Sequence, residues 1–482
     1  MNPIAIGWKT IINLKKILEM KKIIFYTTSL IAKNIIGKMK NYRMSYVALS
    51  ISCLFTISNA AAQETMSPAL PQKETIALTN ATIHVGNGQV INNGTVVLKD
   101  GKITATGVNV STLPIAIGTR VIDCSGKHIY PGLILATSQL GLVEVNSVRA
   151  TIDASEIGEM NPSIRSIVAY NTDSKVINTL RTNGILLANI IPDGGIISGS
   201  SSVVQLDAWN WEDAAYKTDV AIHFRMPSLL NRTRGRGGFG GVAAQTPAVD
   251  PVKRGLEQIE NVKIFFREAK AYLTETKHEN TNLKFEAVRN LFDKKQKLFI
   301  HCNIVKEMLI AIDFVKEFGF DVVLVGAIDS WQIADMLKQN NIAVILNQLH
   351  NLPTMVDDDV DQPFKTPAML QRAGVLFTFT DDDASARYRN LAFNAGTAAA
   401  YGLSKEEALS AITLNAATIL GIADKTGTIE TGKDANIVVS EGDILDMRTN
   451  IITHAFIQGR QVDLNNKQKQ LAEKYEKKYG IK

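Results

Sequence analysis

A histidine and a run of carboxylates each follow an apolar stretch that the pattern predicts to be a buried strand. His301 lies at the end of KLFIHC. Asp381, Asp382 and Asp383 follow GVLFTFT. An imidazole at a strand end can bind a metal or carry a proton, but a hydrogen-bonded core histidine has the same pattern. A solvated turn or a helix N-cap explains one or two of the aspartates, and a remaining carboxylate with like-charged neighbours would have a raised pKa and could act as a base.

Other stretches carry residue types that bind ligands. Trp209 and Trp211 follow the predicted strand SVVQL and would either line a substrate pocket or form a packed lid. The run from Asp357 to Asp359, with Asp361, lacks the glycine and glutamate spacing of a calcium loop, so we expect an exposed acidic loop. No serine lies in a GxSxG turn, which leaves nucleophilic serine catalysis without support.

The first 62 of the 482 residues differ in composition from the rest of the chain. They carry nine Lys or Arg against one acidic residue and end in the apolar run MSYVALSISCLFTISNAAA. Basic residues, an apolar stretch and then small residues before Gln63 are typical of a cleaved secretory signal peptide, and an uncleaved anchor is less favoured because no positive flank follows. Met39 and Met44 are alternative starts. We therefore expect an exported protein, periplasmic or secreted, with no stable membrane anchor.

Removing this leader changes the formal net charge from +5 to −3, because the leader itself carries a net charge of +8. A slightly acidic chain lacks the clustered positive charge that nucleic-acid binding needs, so nucleic acid is excluded as a partner. Two cysteines, Cys124 and Cys302, remain after the leader. We expect two buried thiols rather than a disulfide, because Cys302 lies beside a predicted core strand.

The remaining chain divides into two kinds of pattern. Short alternating runs with glycine turns predict β structure over residues 75–128 and again over 420–463, and we expect these segments to form one discontinuous β-sandwich domain. Residues 129–419 alternate apolar runs with amphipathic helices, as in KLFIHC followed by IVKEMLIAIDFVKEFG. This order and length predict an eight-stranded (β/α)8 TIM-type barrel.

Two segments fall outside that division. The stretch NRTRGRGGFGG at residues 231–241 cannot be regular structure and predicts a solvated loop, with an RNA-binding tract or a mobile lid as alternatives. Residues 464–482 predict a charged helix.

Three blocks resemble the metal-dependent amidohydrolase superfamily, in particular its exported imidazolonepropionase-like and prolidase-like branch. They are TNATIHVGNGQVINNGTVVLKDGKITATG, VIDCSGKHIYPGLI and GLSKEEALSAITLNAATILGIADKTGTIETGKDANIVV. The resemblance implies a divalent, zinc-like metal at the carboxyl face of the barrel, where it activates water for hydrolysis. In the superfamily two histidines after the first strand, one after the fifth, often one after the sixth and an aspartate after the eighth surround the metal.

Only part of this ligand set is present in the chain. By the resemblance, His301 matches the fifth-strand ligand, and Asp382 or Asp381 matches the eighth-strand aspartate. Thr137 and Gln139 in PGLILATSQLG stand where the first-strand histidines belong. A catalytic zinc usually has three protein ligands, so we expect the metal to be weakly bound or absent.

The sixth strand also lacks its histidine, because Gly326 or Ala327 occupies that position. The loop residues that could add a ligand near the barrel mouth are His350, Glu144, Asp153 and Asn303. Asn303 is in addition a candidate for the substrate pocket, together with Trp209 and Trp211.

Two functions from different classes remain open. The first is an exported hydrolase that cleaves a non-peptide carbon–nitrogen bond in a cyclic amide or dipeptide-like substrate, with His301 and Asp382 acting around a weak metal. The second is a catalytically degenerate barrel that binds a small molecule or short peptide, or that pairs with an active relative or a second copy of itself. The loss of three expected ligands favours the second, and the retained scaffold favours the first.

Overall fold

The computed structural model of the protein describes residues 67–108, 118–230, 250–275, 277–381 and 386–481. Residues Met66–Lys482 form one compact unit. Its strands are β1 Ile76–His84, β2 Val90–Lys99, β3 Lys102–Val108, β4 Arg120–Asp123, β5 His128–Pro131, β6 Leu133–Ser138, β7 Ile185–Ile190, β8 Ile197–Gln205, β9 Ala215–Arg225, β10 Lys297–Cys302, β11 Val322–Gly326, β12 Ala343–Leu346, β13 Phe377–Phe379, β14 Ile437–Ser440, β15 Ile452–Ile457 and β16 Arg460–Gln461.

The α-helices of the described ranges lie mostly between the barrel strands. They are α1 Lys175–Arg181, α2 Trp211–Ala214, α3 Pro251–Thr274, α4 Leu283–Ala287, α5 Arg289–Phe292, α6 Val305–Phe318, α7 Ala334–Gln339, α8 Gln362–Arg372, α9 Leu391–Ala400, α10 Lys405–Ala411, α11 Leu414–Leu420 and α12 Lys467–Tyr479. The charged helix predicted at the end of the chain is α12, and none of its residues is buried. The predicted leader and the 231–241 insertion lie outside the described residues. No helix of the described ranges is long and apolar enough to span a membrane.

Strands from both ends of the unit form one eight-stranded sheet, in the order β16-β15-β14-β5-β1-β2-β3 with β4 beside β1. The sequence predicts a β-sandwich here, whereas hydrogen bonds link all eight strands. The reason is β1, which pairs with β2 along one edge and with β4 and then β5 along the other. The late strand β14 pairs with β5, so the two sequence segments share one sheet.

The second sheet is a nearly closed barrel in the order β13-β12-β11-β10-β9-β8-β7-β6. Its two end strands meet through Thr137 and Thr380. The Thr137 hydroxyl donates to Thr380 Oγ1 at 3.0 Å, and the Thr380 hydroxyl donates to the Thr137 carbonyl at 2.7 Å. The chain passes from one sheet to the other at Gly132, which separates β5 from β6. Gly132 lies so close to the Leu186 side chain that a Cβ at this position would clash with it.

One barrel strand departs from the all-parallel pattern of a (β/α)8 barrel. β8 runs antiparallel to both β7 and β9, while the other neighbouring barrel strands are parallel. Only residues 191–196 connect β7 to β8. A parallel connection needs a dozen or more residues, so this short link can only turn the chain back. The sequence predicts a strand over 202–206, but its direction depends on this connection.

Helix α11 packs into the amino-terminal end of the barrel. Ala416, Ala417 and Ile419 belong to the same buried cluster as the barrel-interior side chains. The ammonium groups of Lys217 and Lys297 donate to the last carbonyls of α11, at 2.9 Å to Gly421 and 2.7 Å to Ile419. Cations near the carboxyl end of a helix are favourable, so the two lysines stabilise α11 where it closes the amino-terminal end of the barrel. The opposite end of the barrel is not covered by this helix.

Cys124 and Cys302 are both free and buried, which confirms the prediction of two thiols. Burial raises the pKa of Cys124 to about 11 and also raises the pKa of Cys302. Thiols with raised pKa values are poor nucleophiles and poor metal ligands at neutral pH.

Candidate functional site at the barrel mouth

Pairing between parallel strands places one row of side chains across the barrel interior. Arg225 pairs with His301, His301 with Val325, Val325 with Ile345, and Ile345 with Thr378. Paired residues of a pleated sheet point to the same face. Val325 and Ile345 pack in the interior cluster of the barrel. Arg225 and His301 therefore face the barrel interior, near the carboxyl ends of their strands.

A second histidine, His223, lies one layer deeper, two residues before Arg225 on β9. Its Nδ1 atom is 2.9 Å from Nε2 of His301, so the two rings share one hydrogen bond. His223 is fully buried. Burial, followed by the nearby Arg225 charge, holds the pKa of both imidazoles well below 6.5. The pair is therefore neutral at neutral pH.

Sequence reasoning missed both His223 and Arg225. The signal that could have found them is the alternation in VAIHFR, which places His223 and Arg225 on one face of a strand. His301 was found only because it matches a ligand position of the superfamily. The hydrogen bond between His301 and His223 agrees with both interpretations of His301, as a core histidine and as a site residue.

Arg225 takes part in what we call the mouth network, formed by Gln139, Asp193 and Arg225. The Nε atom of Arg225 is 2.9 Å from Asp193 Oδ1, and its Nη2 donates to the Pro192 carbonyl at 3.1 Å. The Gln139 amide donates to Asp193 Oδ2 at 3.0 Å. The backbone N–H of Gln139 donates to the Tyr388 hydroxyl. Gln139, at a histidine position of the superfamily, thus binds a carboxylate rather than a metal.

Thr137, the other replaced position, is fully buried and makes the hydrogen bonds with Thr380 that join the first and last barrel strands. Its side chain has a structural role in closing the barrel. Adding a larger group there would disturb this contact between β6 and β13.

Asp381 follows the eighth barrel strand and has a side chain that is only 1% exposed. Its Oδ1 atom is 3.2 Å from Nε of Arg387, and Asn394 donates to its Oδ2 at 3.2 Å. These contacts compensate the burial of the carboxylate. Asp382, the other candidate for this position, and Asp383 lie outside the described residues.

The sixth-strand position has no room for a ligand. Gly326 has a φ of +91°, and a Cβ there would overlap Oδ1 of Asn303. Asn303 follows β10, and its backbone N–H donates to Glu307 Oε2 at 3.0 Å. Asn303 lies two residues after His301, just beyond the end of β10, and its side chain covers the place where a sixth-strand histidine would begin.

The two tryptophans are not brought together with these residues. β8 is antiparallel, so its last residue, Gln205, pairs with Leu187 near the beginning of β7. Trp211 begins α2, which leads directly into β9 at Ala215. His223 is eight residues further along β9, which corresponds to about 26 Å of extended strand. Trp209, at 66% exposed, and Trp211 lie toward the other end of the barrel from the histidine pair.

The loop candidates have other partners. His350 Nε2 is 3.0 Å from Thr397 Oγ1. Glu144 accepts hydrogen bonds from Asn171 and Ser174, and Asp153 is exposed. In the acidic loop the Lys365 ammonium lies 3.1 Å from Asp359 and 2.8 Å from Asp361, so two of the carboxylates bind a lysine.

Comparison with known proteins agrees with this architecture. Residues 307–462 match the amidohydrolase family. An imidazolonepropionase from Mesorhizobium japonicum is 24% identical over 371 residues, which is 73% of this chain and 87% of that protein. An imidazolonepropionase from Thermoplasma volcanium is 38% identical over 86 residues, or 17% of this chain and 21% of that protein.

Residues 307–462 of this chain belong to the amidohydrolase family. The sequence relatives are imidazolonepropionases, which supports the resemblance to the imidazolonepropionase-like branch. A solved amidohydrolase from Thermotoga maritima has the same fold, with a TM-score of 0.69 and 24% identity over 80% of this chain and 99% of that one. The recognition made from the three sequence blocks is confirmed, and so is a barrel with an additional β domain.

Members of the superfamily typically bind a divalent metal such as zinc, so the fit of this site to a metal can be tested. No three His, Cys, Asp or Glu side chains converge on a metal position within residues 67–108, 118–230, 250–275, 277–381 and 386–481. The two imidazoles that do converge bind each other, and the Arg225 guanidinium adds a positive charge beside them. These residues do not fit a catalytic metal, which needs about three converging ligands.

Proposed function

We propose that this protein is an amidohydrolase-superfamily barrel that has lost metal-dependent hydrolysis and binds a small organic ligand at its mouth. The observation that carries the proposal is the mouth network. Gln139 occupies a metal-ligand position and is bound to Asp193, which is bound in turn to Arg225. A permanent cation beside a neutral histidine pair disfavours a second, divalent cation in the same place.

The rest of the mouth supports a binding role. His301, Asn303 and Arg225 lie at neighbouring strand ends, which is where barrels of this type bind their ligands. The opposite end is closed by α11. A ligand reaching the interior row therefore enters from the mouth.

A second candidate function is retained hydrolysis of a non-peptide carbon–nitrogen bond, in a cyclic amide or dipeptide-like substrate. It is favoured by His301 and the buried Asp381, which stand at the expected fifth and eighth strands. A neutral imidazole pair can accept a proton from an attacking water, so the chemistry retains a base even where a metal is weak.

One assay separates the two candidates. The mature chain is incubated with a panel of hydantoin-type cyclic amides and dipeptides, with and without added zinc, beside a His301→Ala variant. The proposal predicts no turnover above the background of the His301→Ala variant in either condition. Zinc-stimulated turnover that this variant lacks would refute it and establish the second candidate.

We also propose that the protein acts outside the cytoplasm, on the strength of the basic and apolar leader that ends before Gln63. Amino-terminal sequencing after expression of the full chain in a bacterium checks this. Export predicts a mature chain beginning at Gln63, and a chain that keeps its leader would contradict it.

A further inference from the structure

We propose that helix α12 is a docking surface for an anionic phospholipid membrane, to which it attaches the protein reversibly. This interaction goes beyond the proposed function and does not depend on it, because no residue of α12 belongs to the mouth network. It follows from three features of the molecule, which are an exposed apolar stripe on the helix, the lysines that border this stripe and the negative charge of the rest of the chain.

The helix is attached to the barrel at its first turn. Asn466, the N-cap, donates from its side-chain amide to Thr182 Oγ1 at 2.9 Å and accepts from the backbone N–H of Lys469 at 2.8 Å. The Thr179 hydroxyl of α1 donates to Gln468 Oε1 at 3.2 Å. None of the thirteen residues of α12 is buried. The helix is therefore held at its beginning, while its later turns present their side chains to solvent.

An apolar stripe follows the exposed part of the helix. Leu471, Tyr475 and Tyr479 are spaced four residues apart, which places them on one face. Their exposed fractions are 41%, 52% and 66%, and Ile481, just after the helix, is 70% exposed. The rings of Tyr475 and Tyr479 stack, with centroids 6.4 Å apart. Tyrosine combines an apolar ring with a polar hydroxyl, and such side chains favour the boundary between water and lipid headgroups.

Lysines border this stripe. Lys467, Lys474 and Lys478 each lie three or four residues from a member of the stripe, so they are its neighbours on the helix surface. The Lys478 ammonium is 5.9 Å from the ring centroid of Tyr475 and 5.0 Å from that of Tyr479. Interfacial helices have this pattern, because their lysines extend along the apolar face and keep the ammonium groups at the level of the lipid phosphates.

The charge of the helix is opposite to that of the rest of the chain. Residues 467–482 contain six lysines and two glutamates, a net charge of +4. Residues 63–466 carry a net charge of −7. An anionic surface therefore attracts the helix and repels the remainder, so contact is confined to one part of the molecule. This charge complementarity requires an anionic partner, and the apolar stripe requires a partner that also offers hydrocarbon.

A second copy of the chain fits the stripe less well than a membrane does. A helix of thirteen residues is about 20 Å long, whereas a coiled coil needs three or four heptads. A stable protein interface buries about 800 Å² per partner, which three partly exposed side chains do not supply. The helix is also too short to cross a bilayer, which takes about 20 apolar residues. The stripe is suited to shallow, reversible insertion among lipid headgroups.

Vesicle sedimentation tests the docking. The chain from Gln63 onward, which lacks the basic and apolar leader, is mixed with vesicles of equal parts phosphatidylglycerol and phosphatidylcholine, and separately with vesicles of phosphatidylcholine alone. We expect binding to the anionic vesicles at low salt and none to the neutral ones. Binding should fall steeply as the salt concentration rises to about 0.5 M, because salt screens the lysines.

Two double variants test the lysines and the stripe separately. Lys474→Gln with Lys478→Gln should weaken partitioning roughly twenty-fivefold, because each lysine near an anionic surface contributes about fivefold. Leu471→Ser with Tyr475→Ser should weaken it roughly tenfold through the loss of apolar burial. None of these side chains is buried, so both variants should keep the fold, which circular dichroism checks.

Matched controls make the same kinds of change on α3. Lys253→Gln with Lys270→Gln replaces two exposed lysines, and Leu256→Ser replaces a leucine that is 47% exposed. Both controls should partition like the wild type, because α3 lacks the combination of stripe and lysines.

Partitioning that is weakened in both α12 variants and kept in both controls supports the proposal. No binding to the anionic vesicles, or equal binding to the neutral ones, would overturn it. Binding that responds to the lysine variant but not to the stripe variant would also overturn it, because such binding uses charge alone. A dimer that depends on α12, found by analytical ultracentrifugation without vesicle binding, would identify a second copy as the partner instead. The hydrolysis assay of the proposed function is independent of all these outcomes.

Discussion

At the scale of single residues, the site is defined by what replaced the expected ligands. The Gln139 side chain donates to Asp193, and the Thr137 side chain hydrogen-bonds to Thr380 after the last barrel strand. At Gly326 the Asn303 side chain occupies the space that a ligand side chain would need. Each replacement has a partner of its own. Under the proposed function, these contacts form a polar arrangement that takes the place of the metal site.

The electrostatic role of Arg225 gives a prediction at this scale. Its charge is the second cause, after burial, of the low pKa of His301. Arg225→Gln should therefore raise the pKa of His301 toward its ordinary value, as followed by NMR titration of the ring protons. Arg165→Gln is the matched control and should leave it unchanged. An unchanged pKa in Arg225→Gln would show that the guanidinium does not act on the pair.

Sequence reasoning reached some of these residues and not others. The absence of the first-strand histidines at positions 137 and 139 could be predicted from the sequence, because these positions lie in a motif of fixed spacing. His223 and Arg225 could not, because their role depends on the pairing of β9 with β10, which brings residues 78 positions apart to 2.9 Å. The partner of Asp381 on α9, Asn394, depends in the same way on how that helix packs.

At the scale of elements, the strands predicted from apolar runs are present, but their directions follow from the connections. The reversal of β8 is the clearest case, since the six-residue link after β7 decides it. This reversal also moves Trp209 and Trp211 away from the histidine pair. Alternation predicts that a segment is a strand, and it carries no information on direction.

A pair of histidines lies where α10 contacts the sheet formed by β1–β5 and β14–β16. His84 lies 2.7 Å from Glu406 on α10 and 3.0 Å from His128 on β5, with Asp443 and Lys405 nearby. The hydrogen bond between the His84 and His128 rings holds a single proton. Burial, followed by the proximity of His84, lowers the pKa of His128 below its ordinary value of 6.5.

This arrangement predicts a stability difference that depends on pH. A histidine with a lowered pKa in the folded state stabilises above the ordinary value of 6.5, and the contribution is lost as the pH falls below it. His128→Gln should lower the free energy of unfolding by roughly 1 kcal/mol at pH 7.5. The difference from wild type should shrink by pH 5, as measured by urea denaturation. A difference that stays constant across this range would contradict the assignment.

At the scale of the whole molecule, a buried ion network joins the sheet formed by β1–β5 and β14–β16 to the barrel. Asp207, after β8, lies 2.7 Å from Arg181 of α1 and 2.8 Å from Arg460 of β16. The Asp207 side chain is 1% exposed. The backbone N–H of Ala69 also donates to Asp207 Oδ2 at 3.0 Å, so residues near the two ends of the unit are tied to the barrel through one carboxylate. The sequence predicts that the end segments join each other, but their attachment to the barrel rests on contacts between residues 253 positions apart.

Removing that carboxylate should be costly. Asp207→Asn leaves two buried guanidinium groups with less compensation, and we expect a loss of about 3–5 kcal/mol in the free energy of unfolding. The matched control is Asp219→Asn, which breaks a surface pair of similar length with Arg165 and should cost about 1 kcal/mol or less. Denaturant unfolding of both variants measures the difference. Equal losses would show that the network does not hold the two sheets together.

We propose that the mouth network has taken the place of a catalytic metal. Elemental analysis of the mature protein, purified without chelators from cells grown with added zinc, measures this. We expect far less than one equivalent of any divalent transition metal per chain. About one tightly held equivalent, lost on replacing His301 by alanine, would contradict it.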